Sequence, residues 1–133
     1  MPYPKFTAVS KKLFQKSQPT YKSILETSFV RGLIQGLDSI EFDEFTQQDI
    51  HYLNKSFQPA MEMLYKKASA PHHKQLFSTF IESTEIELKL LKSQLKSQGS
   101  EHLTPASEIT KAYGGHITAC CEESYVKGVA ASF

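Results

Sequence analysis

Between residues 40 and 69 the apolar side chains recur in steps of three and four: Phe42, Phe45, Tyr52, Leu53, Phe57, Ala60, Met61, Leu64 and Ala68. That period places them on one face of an α-helix. A helix of about eight turns with such a face has to bury it against other helices. One acid breaks the stripe. Asp49 stands in FTQQDIHYL, residues 45–53, at a stripe position. An unpartnered buried carboxylate costs several kcal/mol or takes up a proton. Asp49 therefore needs a partner, either a group on a neighbouring helix or a ligand rich in N–H donors. Tyr52 follows at i+3 and projects toward the same region. His51, between them, is read as facing solvent.

The remaining signals are also helical. Phe6, Val9, Leu13 and Phe14 mark an amphipathic segment over 6–17, and 20–36 carries shorter helical pieces stopped by Gly36. Asp38 and Glu41 stand in capping-box relation before the long stripe. Pro59 lies inside it and predicts a bend. Pro71 suits a first helical turn. Leu76, Phe77, Phe80, Ile81, Thr84, Leu88, Leu91 and Leu95 then form a buried stripe that ends near Gly99. Thr104-Pro105 reads as a cap followed by a first helical residue. The helix it opens would bury Ile109, Ala112, Tyr113, His116, Ile117 and Cys120. Gly114 and Gly115 within it cost about 1 kcal/mol each relative to alanine, which close approach of a helix or ligand would explain. A last helix is capped by Ser124. The expectation is an all-α protein, with residues 1–133 as one helical domain.

Composition narrows the function. The formal net charge is +1, which gives no reason to expect a nucleic-acid partner. No stretch approaches the roughly 18 apolar residues of a membrane span, and MPYPKFTAVSKK lacks a signal-peptide core. Cys120 and Cys121 are the only cysteines. Adjacent cysteines seldom bridge each other, so no disulfide framework or zinc spacing arises, which favours a cytoplasmic setting. Both are read as buried, inert thiols. Glu82, Glu85 and Glu87 lack the Glu-x-x-His units of a carboxylate di-iron site, and His72-His73 diverge. No metal or cofactor is expected. Tyr113 and His116 form a second i, i+3 pair, read either as core packing or as a hydroxyl lining the Asp49 cavity.

FVRGLIQGLDSIEFDEFTQQDIHYLNKSF, residues 29–57, resembles the thiaminase II (TenA) family. The likeness rests on Phe29, Val30, Gly36, Phe42, Phe45, Gln48, Asp49, Tyr52, Leu53 and Phe57. It continues to Gly99 and resumes at Pro105 and KAYGGHITACCEESYVKGVAASF. The resemblance implies a haem-oxygenase-like helical bundle that hydrolyses aminopyrimidines or thiamine-like molecules and tends to homo-oligomers. It implies that Asp49 binds the substrate ring. Tyr52 and Tyr113 would support a cysteine nucleophile, whose thiolate hydroxyl donors stabilise.

The departures shape the expectation. The family's nucleophilic cysteine would fall about two residues beyond Phe133, by the family's spacing, and its acid/base glutamate on a later helix. Cys120 and Cys121 stand roughly four helical turns too early. Residues 1–133 thus read as a bundle lacking its C-terminal helices, with the substrate-binding half of such an enzyme. Its uncovered apolar face predicts self-association. The alternatives are a short inactive member that binds a pyrimidine or a protein partner, and a helical interaction protein alike in fold only.

Overall fold

A computed structural model describes residues 7–36, 39–99 and 103–133. Among them every regular element is helical, as the periodicity predicts. Contacts divide the chain into two compact units, Met1–Ser39 and Ile40–Phe133.

The first unit holds α1 (Ala8–Leu25) and α2 (Ser28–Gln35). Thr7 caps α1, its hydroxyl accepting the Ser10 N–H at 3.1 Å. The segment expected over 6–17 and the start of that expected over 20–36 form one helix that runs through Pro19. Proline removes one donor there, and water can satisfy the freed carbonyl because no α1 side chain is buried. Thr27 caps α2, and Gly36 at φ 95° ends it, as expected. Phe6 and Asp38, assigned above to a helix face and a cap, lie outside the described residues.

The second unit carries the candidate chemistry. Its elements are α3 (Ser39–Tyr52), a π-turn (Leu53–Phe57), α4 (Gln58–Lys67), α5 (Pro71–Ser97), α6 (Glu108–Glu123) and α7 (Tyr125–Ser132). A bend is expected at Pro59; the structure has this π-turn just upstream of the proline. The Gln58 N–H reaches the Leu53 carbonyl in the wide i→i+5 pattern, and Pro59 then occupies the first turn of α4. A missing N–H costs least where the ladder is already shifted.

α4 is the centre of the core. Ala60, Met61 and Leu64 are fully buried and pack with Ala68, Phe77, Ile117 and Cys121. A second cluster joins Ile50 and Leu53 to Leu88 and Leu95 of α5, and Tyr52 and Phe57 touch both clusters. Burying a side chain such as Leu64 contributes about 1.5–3 kcal/mol. Pro71 opens α5 and Gly99 follows its end at φ 85°, both as expected. Leu76, assigned to the buried stripe, is half exposed.

α6 departs most from expectation. Its cap is Ser107, whose hydroxyl accepts the Thr110 N–H at 3.2 Å, and not Thr104. Thr104 belongs to a polar seam with α3. Its N–H and hydroxyl donate to Gln47 Oε1 at 2.8 and 2.7 Å. Its carbonyl accepts a bond from His51 Nε2 at 2.5 Å. His51 is consequently buried and not solvent-facing. The buried face of α6 is Gly114, Ile117 and Cys121, rotated from the predicted one, and Ile109 and Tyr113 are exposed. Gly114 meets α3's extension as closely as predicted. A Cβ there would stand 2.0 Å from Ser56 Oγ. Ser124 caps α7 as predicted, accepting the Lys127 N–H at 3.1 Å.

Candidate functional site

The α3–α6 seam positions the residues singled out from sequence. Two glutamines hold the helices in register. Gln47 binds Thr104, and Gln48 Oε1 accepts the Ser107 N–H at 2.9 Å and the Thr110 hydroxyl at 2.8 Å. On one side of this seam opens a pocket of about 220 Å³ lined by Phe45, Gln48, Asp49, Tyr52, Ile109, Thr110 and Tyr113. Asp49, Tyr52 and Tyr113 thus share one cavity, although some 60 residues separate α3 from α6 in the chain. The Tyr52 and Tyr113 rings lie 5.2 Å apart, tilted by 37°.

The electrostatics follow from partial burial. Desolvation raises the Asp49 carboxyl above its ordinary value, and Glu87 on α5 adds like-charge repulsion. Tyr52 is raised well above the usual phenol range. Burial is the main cause, then Tyr113, with Asp49 and Cys121 adding to it. Tyr52 is therefore a neutral hydroxyl at any physiological pH, able to donate a hydrogen bond and unable to serve as a base. The cavity combines one carboxylate acceptor, two phenol hydroxyls and an apolar wall from Phe45 and Ile109. That set suits a flat, N–H-rich ring.

Spacing places Asp49 and Tyr52 toward a common interior and leaves Tyr113 open between core packing and lining their cavity; all three line one pocket. Tyr113, however, lies on the exposed flank of α6 at the pocket mouth. His116 is not in the pocket. It stands beside Cys120, with Nε2 3.8 Å from the sulfur, and both lie away from the core. Cys121 is buried as expected, with desolvation as the main cause of its raised thiol pKa and Ser132 Oγ 3.8 Å away. Cys120 is only partly buried, which corrects the reading of both thiols as interior. Thr110 and Ile109 were missed as pocket walls. The one signal for them was the Gln47-Gln48 pair, two amides beside the Asp on a helix otherwise aimed at the core.

A wider groove of about 540 Å³ runs between α5 and α7, lined by Leu76, Phe77, Phe80, Val126, Val129 and Phe133 among others. Its polar groups, His73 Nδ1 and the Tyr125 hydroxyl, share a hydrogen bond at 3.3 Å. It has greater volume but little to orient a small polar ligand, so the smaller α3–α6 pocket is the better candidate. Among the described residues no group of three or more His, Cys, Asp or Glu is arranged to hold a metal ion. No helix there is long and apolar enough to cross a membrane. Comparison with family models, curated proteins and solved structures finds no match to this chain.

Proposed function

We propose that the α3–α6 pocket binds an aminopyrimidine, in a thiaminase II-like protein with a haem-oxygenase-like bundle. The observation that carries the reading is the convergence of Asp49, Tyr52 and Tyr113 on one cavity. Asp49 accepts hydrogen bonds from the ring's amino and protonated ring nitrogen, and the bound donors offset the desolvation that now raises its pKa. Tyr52, held neutral, donates to the ring or to a sulfur nucleophile. A volume of about 220 Å³ is small beside the roughly 300–1,000 Å³ of drug-sized sites. It favours a single-ring aminopyrimidine over two-ring thiamine.

Hydrolysis on this reading needs a nucleophile from outside the pocket lining, which contains no thiol. Residues 1–133 supply recognition: ring orientation by Asp49 and hydroxyl donation by Tyr52 and Tyr113. Titration calorimetry with a 4-aminopyrimidine and with thiamine tests this. Binding of the single ring, lost in Asp49→Ala with the helical signal retained, is the expected result. Wild-type affinity in that variant removes Asp49 as a ligand.

The α5–α7 groove favours association as a second role. Val126 and Phe133 at its edge are 75% and 64% exposed, and apolar patches of this kind mark contact surfaces. Sedimentation at micromolar concentration is expected to show homo-oligomers that Val126→Lys converts to monomer. A monomeric wild type discards the idea.

A further inference from the structure

A second pocket lies on the other side of the α3–α6 seam. It encloses about 230 Å³ and is lined by His51, Lys55, Ser56, Ala106, Thr110, Lys111, Gly115 and Thr118. Thr110 alone is common to both cavities. Their chemistries are opposite. The first is lined by one acidic residue, and the second by two lysines and three hydroxyl residues with no acid in its lining.

The backbone builds this second pocket by two departures from regular helix packing. The π-turn carries Lys55 and Ser56, and such turns redirect side chains that an α-helix would space elsewhere. On the facing helix, Gly114 and Gly115 have unlike surroundings. A Cβ at Gly114 would strike Ser56, whereas one at Gly115 would meet nothing within 4 Å. Gly114 lets the helices touch, and Gly115 leaves the space beside the contact open. The hydroxyl of Thr118 bonds back to the Gly114 and Gly115 carbonyls at 3.2 and 3.1 Å, and that of Thr110 is held by Gln48. The Nε2–H of His51 donates to the Thr104 carbonyl, which makes His51 a wall. The donors left for a ligand are Lys55, Lys111 and Ser56.

Lys55 has no carboxylate within ion-pair distance among the described residues, while Lys111 pairs with Glu108 at 3.2 Å. That pair is well exposed to solvent, with side chains 59% and 91% accessible, so it holds Lys111 weakly. Two lysines from different helical segments and the Ser56 side chain line one cavity, a set of donors suited to an oxyanion.

We propose that this pocket binds a phosphate group, free or as a small phosphate monoester, between Lys55 and Lys111 with the Ser56 hydroxyl as a further donor. The proposal is independent of ring binding in the neighbouring cavity, since only Thr110 is shared.

Amide chemical shifts followed during titration with inorganic phosphate, and with methyl phosphate at matched ionic strength, test it. Saturable shifts at Lys55, Ser56, Lys111 and Gly115 are expected, with a dissociation constant of about 1 mM or tighter. Tighter binding of methyl phosphate assigns the site to monoesters, and equal binding assigns it to free phosphate. Lys55→Gln is expected to weaken binding roughly tenfold, and Gly115→Val to abolish it by placing side-chain atoms in the open space of the cavity. Should Gly115→Val fail to fold by circular dichroism, Lys111→Gln takes its place and must weaken binding. The proposal is overturned if the shifts do not saturate, if they fall elsewhere, or if Lys55→Gln and the second variant bind as wild type does.

Discussion

Gly128→Ala is expected to destabilise the 40–133 unit by about 1–3 kcal/mol. A drop in melting temperature of roughly 5–15 °C would follow for a unit of this size. The cause is where α7 crosses its neighbours. A Cβ at Gly128 would stand 2.8 Å from the Cys121 Cα, 2.8 Å from Leu64 Cδ2 and 2.9 Å from the Cys121 sulfur. A side-chain tip could turn aside, but the Cα belongs to the backbone of α6 and can move only with the helix. Leu64 is fully buried among Met61, Phe77 and Ile117, and close-packed interiors leave little room for such a side chain to move. Gly115→Ala is the matched control. It is the same chemical change in a helix of the same unit, with nothing within 4 Å of the new methyl. There the better helix propensity of alanine should stabilise by up to about 1 kcal/mol. Thermal denaturation of the two variants beside wild type must therefore move in opposite directions. Two shifts of the same sign would mean that α7 does not pack on α6 as described.

The contrast between these glycines shows how far the sequence could be read. Periodicity made the helices legible. Apolar spacing, Pro71 and the stops at Gly36 and Gly99 depend only on local backbone chemistry, and they mark the observed elements well. The same reading placed Asp49 and Tyr52 on a common face. What it missed depends on contacts made at long range. Thr104-Pro105 has the local form of a cap, yet Thr104 spends its hydrogen-bonding groups on Gln47 and His51 of α3, and Ser107 becomes the cap. His51 looked solvent-facing because the chain that covers it is 53 residues away. The face of α6 was misjudged because the apolar stripe runs through side chains, whereas the contact is centred on Gly114, whose close approach the glycine pair signalled without fixing the face. Gly115 beside it has the same composition and the opposite environment, a difference no spacing rule contains.

Asp49→Asn is expected to raise stability at neutral pH while removing most ring affinity. The sign follows from the raised pKa. A carboxyl whose folded pKa lies above its unfolded value binds its proton more tightly when folded. Ionised Asp49 therefore subtracts stability above the folded pKa. The penalty shrinks as pH falls through the window between the two values, and it is gone below the unfolded one. Asparagine removes the charge and with it the penalty. The gain should be small, because Asp49 is only partly buried and solvent screens its charge. It should vanish on acidification below the ordinary carboxylate range. Binding moves the other way. Replacing a charged acceptor by a neutral amide should weaken a 4-aminopyrimidine roughly 10–100-fold, and wild-type affinity should itself fall as acid protonates Asp49. A carboxylate serving structure alone would show the reverse pattern, with Asn lowering the melting temperature. Paired calorimetric titrations and melts from acid to neutral pH separate the two. Loss of stability with retained affinity would make Asp49 a structural group and take the aminopyrimidine reading with it.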